Sequence, residues 1–365
     1  MTSRERLLAA YRLLPVDRVP LRVWGVRCWD PVWVQSKDDS FTPVIEATRE
    51  HGDFVGTWGP GHGHYGSAAS LEAEYWTEDR PDWVAHYRLL HTPAGPLRTM
   101  SLASRTGHPG MQMEFEVKTL EDLDKVLSVP YEPFRPDVSA FFDRQAELGD
   151  RGLLQCFIPN PISMVHDMMG SDRLAIWSLT DRDRIMEVLW IFQRRCVDIL
   201  RYLLEQGVGP VFTMNGEEYV TPPLHSTKDF RAFAIEPELE LSRLIREAGG
   251  LLHVHCHGPV NAVLEDFAEI GINCLHPLEP PPMGDVTLAD AKRRVGHALC
   301  LEGNLQIGEI YTGRTQEIID QVKHNIEVTE GRGYIVSPTA SPYTPSLEPQ
   351  TVRNYLAMIE ATISA

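Results

Sequence analysis

Hydrophobic positions along this chain alternate between short apolar runs, which are typical of strands, and stretches with helical spacing. The first stretch predicts a helix from Ser3 to about Leu14, with Leu7, Leu8 and Tyr11 on one apolar face. Short apolar runs follow at residues 19–25, 53–58, 153–158, 210–214, 251–257, 272–275, 298–302 and 334–337. Helical spacing separates most of them. Eight strand candidates in a repeating β–α order predict an α/β fold, a (β/α)8 barrel of the TIM type.

One segment, residues 65–117, breaks this alternation because it is rich in turn residues, most clearly T-P-A-G-P at 92–96. It predicts antiparallel hairpins inserted near the N-terminus. The segment is too short and too poor in aliphatic residues for its own core. We therefore expect a single domain over residues 1–365. A doubly wound sheet is the alternative, but no G-x-G-x-x-G follows any strand, and the P-loop and G-x-S-x-G motifs are also missing.

Composition restricts the partners. A formal net charge of −17 argues against nucleic acid and anionic membranes, since both bind basic surfaces. The sequence contains no run of about 18 apolar residues and no signal-peptide pattern at its start, so we expect a cytoplasmic protein with no membrane partner. The six cysteines form no C-x-x-C pair and are expected to be reduced thiols.

The most informative motif is L-H-V-H-C-H-G at residues 252–258. His253, His255 and His257 occupy alternate positions of a predicted strand, so their side chains share one face, about 6.5–7 Å apart. The Gly-Pro that follows ends the strand, which places the histidines near its carboxyl end, where α/β enzymes usually carry their chemistry. Three histidines on one face suit metal or substrate binding, although a polar pocket without metal remains an alternative.

Several motifs together resemble the uroporphyrinogen decarboxylase superfamily, particularly its methyltransferase-like branch. They span nearly the whole chain: R-E-R at 4–6, D-R-V-P at 17–20, N-G-E-E at 215–218, the histidine strand, I-N-C-L at 272–275, L-E-G-N-L at 301–305 and G-Y-I-V at 333–336. The resemblance implies a distorted (β/α)8 barrel with one deep site at its carboxyl-terminal mouth. It also implies dimerisation, so a homodimer is expected.

The chain departs from true uroporphyrinogen decarboxylases, which carry an arginine-rich N-terminal loop where this sequence has W-G-V-R-C-W at 24–29. The methyltransferase branch binds zinc through H-x-C-G and a distant cysteine. Carried over to this sequence, His255 matches the histidine, His257 the first cysteine, and Ala340 falls at or beside the second. The resemblance thus implies a zinc site only if Glu217 or Glu218 joins His255 and His257, because two imidazoles and one carboxylate form a known zinc set.

A zinc ion bound by imidazole and carboxylate in place of thiolate is harder and more Lewis-acidic. It therefore suits an oxygen leaving group better than a thiolate nucleophile. The expected function is therefore a methyltransferase of the O-demethylase type, moving a methyl group from a small methoxylated substrate to a corrinoid or tetrahydrofolate. Without metal, His255 and His257 can act as general acids, and Glu218 is a third catalytic candidate. The sequence lacks a corrinoid-binding D-x-H-x-x-G motif, so a corrinoid protein is an expected partner.

Substrate-binding candidates are the polar and aromatic residues at motif positions or strand ends: Arg22, Trp24, Arg27, Asn215, Glu279 and Asn304. Arg22 and Arg27 can bind a carboxylate, and Trp24 can contact a methoxylated ring. Asn304 is equally compatible with a helix cap. Two other functional classes stay open: a cofactor-free decarboxylase or lyase acting on a small carboxylated substrate, and a barrel that binds a ligand without catalysis.

Overall fold

The computed structural model describes residues 1–105 and 109–365, so residues 106–108 of the predicted insertion lie outside the described residues. Its strands are β1 (Phe54–Trp58), β2 (Ala73–Asp79), β3 (Trp83–Thr92), β4 (Gly95–Ser104), β5 (Met111–Glu114), β6 (Gly152–Phe157), β7 (Val211–Asn215), β8 (Leu251–Cys256), β9 (Cys274–Pro277), β10 (Cys300–Leu305) and β11 (Tyr334–Pro338). Its helices are α1 (Ser3–Tyr11), α2 (Pro31–Gln35), α3 (Thr42–His51), α4 (Leu120–Leu127), α5 (Ser139–Leu148), α6 (Pro161–Thr180), α7 (Arg182–Glu205), α8 (Thr227–Phe230), α9 (Glu236–Glu247), α10 (Leu264–Ile270), α11 (Leu288–Val295), α12 (Ile307–Thr312), α13 (Thr315–Thr329) and α14 (Pro349–Ile363).

Seven strands form one parallel sheet in the order β1-β6-β7-β8-β9-β10-β11. Each is buried or partly buried, as expected for a parallel sheet covered by helices. Seven of the eight predicted strands are thereby confirmed. The predicted strand at residues 19–25 is wrong in its extent, because only Leu21 forms a bridge, to Val336 of β11.

The segment around Leu21 nevertheless connects the two edge strands of the sheet. On one side, Arg22 donates its backbone N–H to Val336, and Val336 donates to the carbonyl of Pro20. On the other, Asp53, directly before β1, donates to the carbonyl of Leu21. Pro20 has no N–H to donate, and Gly25 turns the chain with a φ of +78° beside Ser341, so a longer strand cannot form here.

Helix α1 covers the amino ends of the strands. A capping box between Thr2 and Glu5 starts it. Leu7, Ala10 and Tyr11 then pack against buried residues early in the strands: Leu153, Val211, Leu251, Cys274, Cys300 and Ile335. Because this end of the sheet is filled, polar side chains that enter from the strands gather toward the carboxyl ends, as the fold class leads us to expect.

The region predicted as hairpins forms a separate antiparallel sheet in the order β2-β3-β4-β5. Strands β3 and β4 pair from Trp83–Ser104 to Thr92–Gly95, so Pro93 and Ala94 form the two-residue turn between them. Glu116, just after this sheet, accepts a hydrogen bond from the hydroxyl of Tyr65 at 2.6 Å. No helix in the described part of the chain combines the length and the apolar character needed to cross a membrane.

Candidate active site

Strands β8 and β9 place four histidines close together. His253 and His255 alternate on β8, His257 follows the strand, and His276 lies on β9, where it pairs in register with His255. His255 and His257 meet edge to face with ring centroids 4.6 Å apart. The parallel register brings the histidine of the neighbouring strand beside the motif found in the sequence, which is why His276 completes the cluster.

The hydrogen bonds of His276 define its protonation and that of His255. The Nε2 of His276 lies 3.0 Å from the carbonyl oxygen of Pro338, which can only accept, so Nε2 carries the hydrogen. Burial lowers the pKa of His276 to about 3, and its ring is neutral. Its Nδ1 therefore accepts the hydrogen bond from Nδ1 of His255 at 2.7 Å. Nε2 of the neutral His255 ring then carries no hydrogen and has a lone pair available.

His257 differs from its neighbours in charge and exposure. Its Nδ1 lies 3.2 Å from an oxygen of Glu279, and its side chain is 39% exposed. The same Glu279 oxygen accepts the backbone N–H of Gly258 at 2.8 Å, which fixes the carboxylate. The contact with Glu279 raises the pKa of His257, whereas burial lowers the pKa of His255 well below its usual range. His257 is thus more readily protonated than His255.

Glu218, a predicted catalytic residue, lies near His257. One of its oxygens accepts the backbone N–H of Gly216 at 3.1 Å. Burial raises the pKa of Glu218, and the positive charge of His257 opposes that rise. A carboxyl group with a raised pKa beside an imidazolium is a second acid for the same region. Asn215, which ends β7, pairs in register with His255 and accepts the hydroxyl of Ser163 with its carbonyl at 2.5 Å.

Trp24 joins the histidine cluster to a cavity. Its ring stacks on His276 with centroids 3.9 Å apart and on His255 at 4.8 Å, and the Arg22 guanidinium lies 3.9 Å from the ring centroid. The cavity has a volume of about 530 Å³ and is lined by residues that include Arg22, Trp24, Arg27, Trp29, Arg144 and Ser341. Three predicted substrate-binding residues, Arg22, Trp24 and Arg27, therefore meet at one cavity.

Beneath Trp24, Arg22 is held by a buried carboxylate. Its Nη1 lies 3.0 Å from Oε1 of Glu302, and both side chains are almost completely buried. Burial opposes ionisation of Glu302, but the charge of Arg22 holds the pKa of this carboxyl well below its usual range. Arg22 is thereby neutralised by the protein itself. It is poorly suited to bind a substrate carboxylate, and Glu302 is a partner that the sequence analysis did not assign.

The structure does not place Glu217 with the histidines. Its Oε1 accepts a hydrogen bond from Nδ2 of Asn160 at 2.9 Å, and the same amide nitrogen lies 2.7 Å from Oε1 of Glu238 on α9. The remaining oxygen of each carboxyl has no hydrogen-bond partner in the described part of the chain. Burial raises the pKa of both groups, that of Glu238 to about 8, and their mutual repulsion raises that of Glu217 further. A proton shared between the two carboxyls satisfies both.

This pair predicts a stability that falls at alkaline pH. Because the folded pKa values are raised, the stabilisation is complete below the unfolded value of about 4.3 and is lost as pH rises toward 8. Glu217→Gln keeps a donor to Glu238 and removes one titrating group. We expect its unfolding free energy to fall less between pH 5 and 8 than that of the wild type, because one of the two groups with a raised pKa no longer titrates. Urea unfolding at several pH values measures this difference. Glu236→Gln, at an exposed position on the helix that carries Glu238, is the control. An equal dependence of the unfolding free energy on pH in Glu217→Gln and the wild type would contradict the prediction.

Asn304 also lies away from the histidines. Its side-chain oxygen accepts a hydrogen bond from Nδ2 of Asn325 on α13 at 2.9 Å, and Asn325 also contacts the hydroxyl of Tyr334 at 3.2 Å. All three residues are buried. Asn304 therefore links β10 to α13. It does not cap the next helix, since Gln306 is the N-cap of α12, and it is not among the residues that line the cavity.

The structure does not bring Glu217 together with His255 and His257, the three residues that the resemblance implied as zinc ligands. The Glu217 carboxyl accepts a hydrogen bond from Asn160, whose amide also contacts Glu238, and it is therefore engaged away from the histidines. The contacts at Nδ1 of His255 and His257 leave Nε2 of each ring available. Within residues 1–105 and 109–365, one group of three ligand-type side chains has all its ligand atoms within 4.8 Å of one another: His253, Cys274 and Glu302. The His255–His257–Glu217 set is not assembled here.

Comparison with known proteins agrees with the resemblance seen in the sequence. The family model described as "Uroporphyrinogen decarboxylase (URO-D)" matches residues 106–362. A methyltransferase from Methanosarcina mazei has the same fold, with a TM-score of 0.63, 17% identity, and coverage of 100% of this chain and 99% of that one. A B12-independent methionine synthase from Shewanella sp. W3-18-1 gives a TM-score of 0.46 at 11% identity, over 95% of this chain and 97% of its own. No curated protein matches the sequence. With most of its length matched by the family model, this chain belongs to the uroporphyrinogen decarboxylase family.

Proposed function

We propose that this protein is a methyltransferase of the O-demethylase type, in which His257 protonates the oxygen that departs from the methyl group. The observation that carries the proposal is the His257–Glu279 pair at the carboxyl end of β8, half-exposed and 3.2 Å apart. Among the three histidines of the strand motif, only His257 combines a raised pKa with access to a ligand. The methyltransferase fold of the Methanosarcina mazei protein supports the same reaction class.

The roles of the residues follow from their charges. The methyl group leaves the substrate oxygen with the bonding electrons remaining on that oxygen, and the acceptor supplies the electron pair for the new bond. The developing alkoxide or phenoxide takes the proton from His257, whose imidazole then regains one from water. Glu279 holds the ring and stabilises its charged form. Trp24, whose ring contacts His255 and His276, also lines the adjoining cavity, and we place the aromatic methoxy substrate in that cavity.

The acceptor is a corrinoid or a tetrahydrofolate, supplied as a free compound or on a corrinoid protein. No step on this acceptor needs a metal ion from the chain, since protonation replaces Lewis-acid assistance. The alternative of a cofactor-free lyase loses one of its two candidate carboxylate-binding residues because Arg22 is bound to Glu302, and Arg27 at the cavity is the residue on which it would then depend.

The experiment that tests the proposal is an acceptor-dependence assay. Purified protein is incubated with a panel of methoxylated aromatic compounds, with reduced corrinoid, with tetrahydrofolate, or with neither, and demethylated product is quantified. We expect product in amounts equal to methylated acceptor, and none when the acceptor is left out. Product formed without any acceptor, or carbon dioxide released from a carboxylated substrate, would contradict methyl transfer and favour a lyase.

A further inference from the structure

A second set of ligand-type side chains lies inside the sheet, below the histidine cluster. His253 on β8, Cys274 on β9 and Glu302 on β10 are fully buried and belong to three neighbouring strands. His253 and Cys274 pair directly in register. The Oε2 atom of Glu302 lies 3.4 Å from Nε2 of His253 and 3.6 Å from Sγ of Cys274. One imidazole, one thiol and one carboxylate thus face a common point.

These separations match those of ligands around one zinc ion. Zinc binds nitrogen and oxygen at about 2.0–2.2 Å and sulfur at about 2.3 Å in tetrahedral sites, so the ligand atoms lie about 3.3–3.6 Å from one another. Nε2 of His253 is fully buried and has no hydrogen-bond partner in the described residues. An unpartnered nitrogen directed at a carboxylate oxygen is costly to bury, and a cation between the two removes that cost.

Surrounding residues orient the three ligands. The hydroxyl of Thr213 lies 2.9 Å from Nδ1 of His253. In the tautomer that binds an ion through Nε2, this hydroxyl accepts the Nδ1 hydrogen and orients the ring. Nη1 of Arg22 lies 3.0 Å from Oε1 of Glu302 and 3.4 Å from Oε2, so its main contact is with Oε1, and Oε2 is the oxygen close to the other two ligands. The rings of Trp24 and Tyr11 lie 6.0 and 6.2 Å from that of His253, and so flank it.

We infer that His253, Cys274 and Glu302 form a binding site for a zinc-like divalent cation that joins β8, β9 and β10. Binding forms a metal–sulfur bond and releases the thiol proton of Cys274 to solvent. The remaining charges are one divalent cation, two anionic ligands and the cationic Arg22. The fourth coordination position is left to water or to a small anion. This inference is independent of the proposed proton transfer by His257.

Cobalt substitution provides the test. Protein stripped with a chelator is titrated with Co²⁺ and, separately, with Zn²⁺, and the near-ultraviolet thiolate-to-cobalt absorption, metal content and melting temperature are recorded. We expect about one ion per chain, the thiolate absorption, and a higher melting temperature with Zn²⁺. Cys274→Ser should lose the absorption and weaken binding at least 10-fold. Cys300→Ser, which replaces the cysteine paired with Cys274 across β9 and β10, is the matched control and should retain both.

Two results would overturn the inference. The first is the absence of thiolate-to-cobalt absorption in folded wild-type protein titrated with Co²⁺, a result that needs no variant. Metal that remains bound in Cys274→Ser but is lost in His255→Ala/His257→Ala would move the site to the strand end. His253→Gln is the second variant should Cys274→Ser fold poorly, and its expected result is the same loss. Failure of the demethylation assay would leave each of these outcomes unchanged, because none depends on turnover.

Discussion

His257→Gln is expected to lower the rate of methyl transfer by about 10²–10⁴-fold, the range attributed to a positioned general acid. Glutamine keeps a polar group of similar reach but cannot deliver a proton to a leaving oxygen. The loss should appear in kcat more than in KM, since the proton moves only in the transition state. It should also be smaller for substrates whose leaving oxygen is already a weak base. His297→Gln, at an exposed position on another element, is the matched control.

The pH profile separates this role from a structural one. Glu279 raises the pKa of His257, so the protonated, active form persists to higher pH and activity falls as pH rises through that pKa. Glu279→Gln removes the carboxylate, and the alkaline limb of kcat/KM should move to lower pH. An NMR titration of the His257 ring should show the same displacement. A variant whose rate falls while its alkaline limb stays in place would count against His257 as the acid.

Glu302→Gln is expected to lower the free energy of unfolding by about 3–5 kcal/mol, the cost of leaving a buried charge without its partner. Arg22 would keep its charge in an almost completely buried position while losing the ion pair at 3.0 Å. The double variant Arg22→Met/Glu302→Gln should recover a large part of the loss, because both charges are then gone. Urea unfolding of the two single variants and the double variant measures the coupling.

The same pair has a defined pH dependence. The folded pKa of Glu302 is depressed, so its stabilisation is present above the unfolded value of about 4.3 and is lost as pH falls below it. Glu317→Gln, which breaks the exposed pair with Arg314, serves as the control and should change stability by less than about 1 kcal/mol. Equal effects of Glu302→Gln and Glu317→Gln would show that burial of the ion pair does not matter to the fold.

The strands of the parallel sheet could be predicted from the sequence because their cores are continuous apolar runs. The exception was the run at residues 19–25, where hydrophobicity alone favoured a strand. Pro20 removes a backbone donor and Gly25 turns the chain, so only a bridge at Leu21 forms. The extent of pairing depends on hydrogen bonds to distant segments, here Val336 and Asp53, which a local pattern does not reveal.

The candidate site was predicted in part. Alternation along β8 correctly grouped His253, His255 and His257, but the partners of these rings come from other strands. Glu302 offered a signal, since a charged residue inside an apolar strand requires a partner. The sequence gives no comparable signal for the direction of the Glu217 side chain. Glu217 lies in a short 3-10 turn after a strand, where the alternation of side chains no longer defines a face. Its engagement by Asn160 and Glu238 depends on the packing of α6 and α9.

The segment that joins the two edge strands also has an evolutionary consequence. Arg22 and Trp24, which contact the buried carboxylate and the histidine rings, belong to a stretch held to β11 and β1 by three backbone hydrogen bonds rather than by a full ladder. Insertions or replacements there leave the register of the seven strands unchanged. Sequence change in this one stretch therefore alters the cavity wall, the partner of Glu302 and the cover of the histidine rings together, whereas His257 and Glu279 follow β8 and β9 and lie outside it.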